Sequence, residues 1–384
     1  MITSGIFFKN FKIKKINLKI KKKLQNFIKE NDSVLHSLGK NYKDNFEKKN
    51  LLIYKNFKDI RVIGMGGSSL GTQAIYNFLK HKIKKNFLFI DNLLPNKKVQ
   101  KKKKYLNLVV SKSGNTIETI INSNIYIKKK DKNIFITENK KNYLFELAAK
   151  LKAEVIHHNN FIGGRYSVLS EVGMLPAELM GLNSKKFRQF DNLIRNKKYL
   201  NALISNVSAT IYYIKKKKFN SVIINYDKNS EGLFSWYQQL VAESLGKNKN
   251  GILPIISNMP KDNHSVMQLY LDGFTNNFFT FFYVHENNLT KISDNNILPS
   301  HAFIYKKDIG NITYSQMKAS EKVFNRKNIP FRSFEIKDRS EKTLGELFCF
   351  FILETILLGR ALNIDPYSQP SVELIKKETK KFLI

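Results

Sequence analysis

The chain has a single cysteine, Cys349, set in an apolar run, so no intramolecular disulfide framework can form and a reducing cytoplasm is the expected compartment. Acidic residues are scarce as well, with 31 Asp and Glu against 66 Lys and Arg and a formal charge of +35. Arginine, whose planar fork reads phosphates and base edges, occurs only eight times, which leaves 58 lysines. A nucleic-acid surface is the sharp reading of so much charge. The lysines, however, fall in scattered runs (Lys14-Lys15, Lys21 to Lys23, Lys101 to Lys104, Lys128 to Lys130, Lys215 to Lys218) between nearly every pair of expected elements. Together with abundant Asn and Ile, this is the residue bias of an A/T-rich genome. We read the charge as solvated surface that still attracts anionic small substrates, and expect no nucleic-acid partner.

Long apolar runs are missing too. The longest, "LFCFFILETILLG" from Leu347 to Gly359, is too short to span a bilayer and carries Glu354, so it reads as a buried helix and no membrane attachment is expected. The opening "MITSGIFFKNFKIKK" lacks the apolar core and cleavage site of a signal peptide.

What is present is alternation. A chain of 384 residues exceeds the usual single-core size, so two domains are the default. From Asp59 onward, "DIRVIGMGGSSLGTQAIYNFLK" reads as strand, glycine-rich turn and helix; "NFLFID", "LNLVVSKSGNTIETIINSNIYI", "KNIFITEN" and "EVIHH" continue the pattern. A second cycle follows Lys197 with the strand "FNSVIINYD" and the helix "SEGLFSWYQQLVAESLGKN". It continues through the strands "NFFTFFYVHE" and "IPFRSFEIKD" to the helix "TLGELFCFFILETILLGRAL". Such alternation predicts an α/β protein of two doubly wound domains with parallel sheets flanked by helices. The expected division is an arm or helical strap over 1–50, a first domain over 51–190 and a second over 191–384 ending in a helix.

Two strand–turn–helix junctions carry candidate chemistry. In "GMGGSSLG" (Gly64 to Gly71) the glycines let backbone approach a ligand, and the next helix aims its N–H groups at an anion. In "VVSKSGNTIET", Ser111, Lys112, Ser113 and Thr116 place hydroxyls and an amine at a strand's C-terminal edge, where ligands of open α/β sheets bind. The glycine spacing misses G-x-G-x-x-G, whose third glycine would fall at Ser69, and no P-loop is present. A phosphate monoester is therefore favoured over a dinucleotide.

Further along, Gly163-Gly164 leave Arg165 free to approach a ligand. Gln239 and Glu243, four apart, share one helix face, at whose apolar-to-polar edge partial burial would raise the Glu243 pKa toward a useful base. An exposed glutamate is the alternative reading. His264 begins an apolar-periodic helix that Asn263 or Asp262 can cap, leaving a structural and a chemical role both open. In "DPYSQPSVELIKKETKKFL", Gln369 precedes Pro370, and either Lys376 or Lys377 can turn inward.

In this order the segments "GMGGSSLG", "VVSKSGNTIET", "GGRYSVLSEVG.LP", "QQLVAESLGK", "HSVMQLYLDG" and "QPSVELIKK" resemble the glucose-6-phosphate isomerase family. The resemblance implies two sugar-isomerase (SIS) domains and a homodimer with shared active sites. It places the sugar phosphate on Ser111, Lys112, Ser113 and Thr116, with Gly67 and Ser68 nearby. Glu243 matches the base that moves a proton between C2 and C1, His264 and Lys376 the pair assisting ring opening, and Arg165 the residue stabilising the enediolate. Gln239 and Gln369 match substrate-contacting glutamines, and the histidine would come from the neighbouring subunit. No family motif is placed in residues 1–50, and Asn115 stands where many members have threonine. The implied reaction, exchange of glucose 6-phosphate and fructose 6-phosphate, needs neither cofactor nor metal, and no Cys/His cluster offers a metal site. Two other expectations remain beside it: an isomerase that also takes mannose 6-phosphate, and a non-catalytic sugar-phosphate sensor on the same fold. The sensor would not need Glu243, His264, Lys376 and Arg165 together.

Overall fold

The computed structural model describes residues 1–13, 17–30, 32–94, 104–128, 130–287 and 289–384. The lysines of the runs at Lys14-Lys15, Lys101 to Lys103 and Lys129 lie outside the described residues.

Among the described residues ten strands form two five-stranded sheets, and the most deeply buried stretches supply the central strands. The strands are β1 (Ile6–Lys9), β2 (Asp59–Ile63), β3 (Asn86–Ile90), β4 (Leu106–Val110), β5 (Lys132–Glu138), β6 (Glu154–His158), β7 (Asn220–Asn225), β8 (Leu253–Asn258), β9 (Asn277–Val284) and β10 (Phe331–Ile336). Every residue of β4 ("LNLVV") and of β9 ("NFFTFFYV") is buried, as expected where helices cover both faces of a sheet. The first sheet is wholly parallel in the order β3-β2-β4-β5-β6. The second has the order β1-β10-β9-β7-β8, parallel except for β1, which pairs antiparallel with β10. The α/β class and the doubly wound sheets expected from the sequence are therefore present. Both β1 and β8 are strands that the alternation pattern did not reveal.

The helix Glu341–Ala361 runs between the two halves, with every residue from Leu344 to Gly359 buried. It packs on the helices Lys197–Lys215 and Glu231–Leu245, where Phe348 meets Trp236 and Phe351 meets Tyr237, each ring pair 4.8 Å apart. At about 1.5–3 kcal/mol per large apolar side chain, this helix is a main source of cohesion between the sheets. Its one central carboxylate, Glu354, is compensated by Arg332 and by Asn206, whose Nδ2 donates at 2.5 Å. No helix among the described residues is long and apolar enough to cross a membrane.

Residues near the N-terminus lie on both halves. The helix Leu18–Ile28 packs on Glu341–Ala361 and Lys197–Lys215, while Asp44 pairs with Arg188 at 2.5 Å and the Tyr42 hydroxyl donates to Glu171 at 2.9 Å. One further contact matters most for the site. The helix Leu70–Phe78, which follows β2, packs against Glu231–Leu245, which follows β7, and so carries Glu243 to the edge of the other sheet.

Candidate active site

In the first sheet the chain steps from β2 outward to β3, then returns to the other side of β2 to build β4. Loops leaving β2 and β4 therefore diverge, and the crevice between them is the position where doubly wound sheets bind ligands. The two loops that fill this position are the glycine-rich and hydroxyl-rich stretches.

Gly67 shows why the first loop must lack side chains: a Cβ there would lie 2.2 Å from the Gly164 carbonyl carbon and 2.6 Å from the Arg165 nitrogen. Its backbone is thus pressed on the Gly163-Gly164-Arg165 segment, so the two glycine motifs are halves of one contact. In the second loop Gly114 takes φ +65°, and a Cβ would fall 1.8 Å from Asn142 Oδ1. The turn closes around it, with the Ser111 and Thr116 hydroxyls 3.0 Å apart and Ser113 exposed. Asn115 accepts the Tyr143 N–H at 3.1 Å through its side chain. Lys112 reaches across to donate to the Asn160 carbonyl at 2.6 Å. Burial holds its amine below the usual lysine range, with Lys140 and Arg165 reinforcing the shift and Glu138 opposing it.

Arg165 lies beneath the crevice with 1 % of its side chain exposed, and every arm is committed. Nε donates to Ser244 Oγ at 2.7 Å, and Nη2 donates to the carbonyls of Pro366 at 2.7 Å and Tyr367 at 2.9 Å. Nη1 donates to Gln369 Oε1 and lies 3.1 Å from Glu243 Oε1. The other Glu243 oxygen accepts Gln239 Nε2 at 2.9 Å, as the four-residue spacing requires. Glu243 keeps 20 % of its side chain exposed above the Arg165 guanidinium, and its neighbour Gln239 lies against Gly66 of the glycine-rich loop, where a Cβ would meet Nε2 at 2.8 Å. Gln239 Oε1 is buried without a partner among the described residues.

The single chain does not bring every predicted residue to this cluster. His264 ends a short turn after β8 and is exposed, its ring without a hydrogen bond among the described residues. Its helix, Met267–Asp272, starts three residues later, and Asp262 instead holds the turn by accepting the Asn258 N–H at 2.7 Å. Lys376 and Lys377 both lie exposed on the helix Pro370–Phe382, where Lys376 pairs with Glu373 at 2.6 Å; neither turns inward. That helix has no buried residue. Conversely, Ser244, Tyr166 and the Pro366–Ser368 carbonyls belong to the cluster without having been singled out. Ser244 lies inside a segment already noted, but main-chain carbonyls leave no mark in a sequence. Among the described residues no three His, Cys, Asp or Glu side chains gather as a metal site would need.

Two parallel-wound sheets with a glycine and hydroxyl crevice at the switch point define the sugar-isomerase fold class. Among solved structures, a hypothetical protein from Thermus thermophilus superposes with a TM-score of 0.83 at 21% identity, covering 95% of this chain and 94% of that one. A glucose-6-phosphate isomerase from Chlamydia trachomatis superposes with a TM-score of 0.71 at 18% identity, over 88% of this chain and 72% of that one. At sequence level, the profile described as phosphoglucose isomerase matches residues 19–383. The protein named glucose-6-phosphate isomerase in Methanocaldococcus jannaschii is 33% identical over 362 residues, 88% of each chain. The one in Mycoplasmoides gallisepticum is 30% identical over 353 residues, 85% of this chain and 83% of that one. The chain belongs to the phosphoglucose isomerase family. The profile match begins at residue 19, within the first fifty residues, where no motif had been placed.

Proposed function

We propose a division of labour for a chain that interconverts glucose 6-phosphate and fructose 6-phosphate, a step of glycolysis and gluconeogenesis. The observation that carries it is Glu243 Oε1, 3.1 Å from Arg165 Nη1 and open to the switch-point crevice.

Ser111, Lys112, Ser113 and Thr116 anchor the phosphate, with the Gly67 and Ser68 backbone closing beside it. Binding at this remote end fixes the C1–C2 unit over Glu243, which turns proton transfer into a unimolecular step. The carboxylate takes the C2 proton and returns it to C1. Charge that develops on oxygen in the enediolate meets Arg165, already aligned by its carbonyl acceptors, so no reorganisation is needed as the charge forms. Gln239 Oε1, a buried acceptor without a partner, suits a sugar hydroxyl, and Gln369 borders the same cluster.

Ring opening needs an acid–base pair, assigned to His264 and Lys376. Both stand exposed and make no hydrogen bond or ion pair with Glu243 among the described residues of one chain, which supports a homodimer whose neighbour completes the site. The helix Pro370–Phe382 supports the same reading, with Val372, Leu374, Ile375 and Phe382 from 44% to 90% exposed. A lone buried cysteine supports a cytoplasmic location. Purified protein should convert fructose 6-phosphate into a product that glucose-6-phosphate dehydrogenase oxidises. Absence of turnover in the dimer would refute the assignment.

A further inference from the structure

A second buried cluster lies directly under the loop that presents Arg165. His158 ends β6, and Glu171 opens the helix Glu171–Leu179; both are buried. His158 Nδ1 is 2.7 Å from Glu171 Oε1, and Nε2 is 3.0 Å from the Ile162 carbonyl. Glu171 Oε1 also accepts the Asn159 N–H at 2.9 Å, and Oε2 accepts the Tyr42 hydroxyl at 2.9 Å. Both ring nitrogens of His158 thus face oxygen atoms, and the Glu171 carboxylate gathers the His158 ring, the Asn159 N–H and the Tyr42 hydroxyl around it. Burial opposes the carboxylate, but the hydrogen bond and charge of His158, with the Asn159 and Glu171 N–H groups, outweigh it and lower the Glu171 pKa.

The pair grips residues 159–162 at both ends: Asn159 through its N–H, Ile162 through its carbonyl. Between these grips, Asn160 turns its carbonyl to Lys112 Nζ, 2.6 Å away. Immediately after them comes Gly163, and Gly164 lies against Gly67 and leads into Arg165. The sequence from Ile162 to Arg165 therefore has little freedom once the two grips are made. A buried ion pair is weak evidence for stability, because the desolvation cost cancels much of its attraction. Its worth is better sought in what it holds.

We propose that His158 and Glu171 are positioning residues: clamped together under the 159–162 loop, they fix the Asn160 carbonyl for Lys112 and the approach of Arg165, and so set affinity for the substrate's phosphate. The N-terminal segment takes part through Tyr42, which caps the free carboxylate oxygen. This rests on the reading of Lys112 as a phosphate anchor.

The test measures KM and kcat for fructose 6-phosphate, inhibition by inorganic phosphate, and thermal midpoint for the full-length protein. His158→Gln and Glu171→Gln should each raise KM and the phosphate inhibition constant about tenfold, as loss of a charged hydrogen bond implies, with kcat falling less than threefold. The double variant should be no worse than the more impaired single one, because each change breaks the same clamp. A lower thermal midpoint with KM and phosphate inhibition unchanged would overturn the positioning role and leave only a structural pair. If neither variant yields folded protein, Tyr42→Phe, which removes one donor, should raise KM about threefold; an unchanged KM overturns the proposal. Lys112→Ala separates the two readings. If it leaves KM unchanged, the phosphate assignment itself fails; if it raises KM while the clamp variants do not, only the clamp fails.

Discussion

Between β2 and β4 the chain leaves its sheet through glycine, serine and threonine; between β7 and β9, the matching reversal of the second sheet, it leaves through Asn225, Asp227, His285 and Glu286. The windings are the same, but the two edges have opposite fates. In the second sheet Arg339, following β10, lies across the edge and donates to both Asp227 and Glu286, with 6 % of its side chain exposed. Its guanidinium also rests 5.0 Å above the Phe78 ring. Two of the three guanidinium nitrogens and both carboxylates are spent on each other there, while Arg339 Nη1 stays buried without a partner among the described residues. At the first edge more is left unspent: Ser113 is exposed, Gln239 Oε1 is unpaired and Glu243 faces outward. The difference teaches that a switch point supplies a place, and that unspent polar groups make it a site.

The sharpest way to break that contrast is a matched pair of isosteric changes. Glu243→Gln should cut kcat by about a thousandfold, within the range of general base catalysis, while KM stays within threefold. Glu286→Gln, at the silent edge, should leave both within twofold in the coupled dehydrogenase assay. Equal losses would mean that the second edge takes part in turnover. Next in size is Gly67→Ala. A Cβ 2.2 Å from the Gly164 carbonyl carbon forces the Arg165 segment to move, and a misplacement near 1 Å can cost about 10²-fold in kcat/KM. The same overpacking should lower stability by about 1–3 kcal/mol in denaturant titration. Asn229→Ala in the second sheet's loop should change stability by less than about 0.5 kcal/mol and leave turnover intact.

Much of this contrast was legible before any coordinates. The strand–turn–helix alternation exposed β2 to β7, β9 and β10, because most are short stretches rich in apolar residues, bounded by turn residues and followed by a helical pattern. It missed β8, "LPIISN", in which proline interrupts the pattern, and β1, whose four residues are too few to show a period. The Gln239–Glu243 contact followed from helical spacing, and Arg165 followed from its double glycine. What the sequence could not convey is how long-range partners spend charge. Eight arginines looked like scarce phosphate readers, yet Arg188, Arg332 and Arg339 are committed to Asp44, Glu354 and Asp227 from distant segments. Nor could spacing show His158 and Glu171 meeting under the 159–162 loop.

The silent edge itself can be opened. Arg339→Leu removes the bridging cation and strands Asp227 and Glu286 side by side. Breaking a fully buried pair costs about 3–5 kcal/mol; because Glu286 keeps 30 % exposure, we expect about 2–3 kcal/mol by denaturant titration. Per folded molecule kcat/KM should stay within twofold, since the change lies outside the proposed substrate crevice. A loss of activity without loss of stability would show that the two edges communicate.

The smallest expected effect concerns pH and Lys112. Burial disfavours its ammonium, so Lys112 sheds its proton at lower pH than an ordinary lysine. The phosphate then loses a cation while remaining a dianion, and KM for fructose 6-phosphate should rise several-fold on the alkaline side, beginning below about 10.4. Lys112→Arg, which stays charged throughout, should flatten that limb, and Lys337→Ala at the second edge should not alter it. Lys112's own share of stability cannot imitate the effect, although Lys318 and the buried Tyr166 and Tyr213, whose pKa values are raised, weaken the fold as pH climbs. For a lysine with a lowered pKa in the folded chain, the unfolded chain binds more protons, so this group's contribution to stability grows as pH rises between the two pKa values. A KM that rises while circular dichroism shows the folded fraction unchanged therefore reports the anchor and not unfolding; a flat wild-type curve would remove Lys112 from phosphate binding.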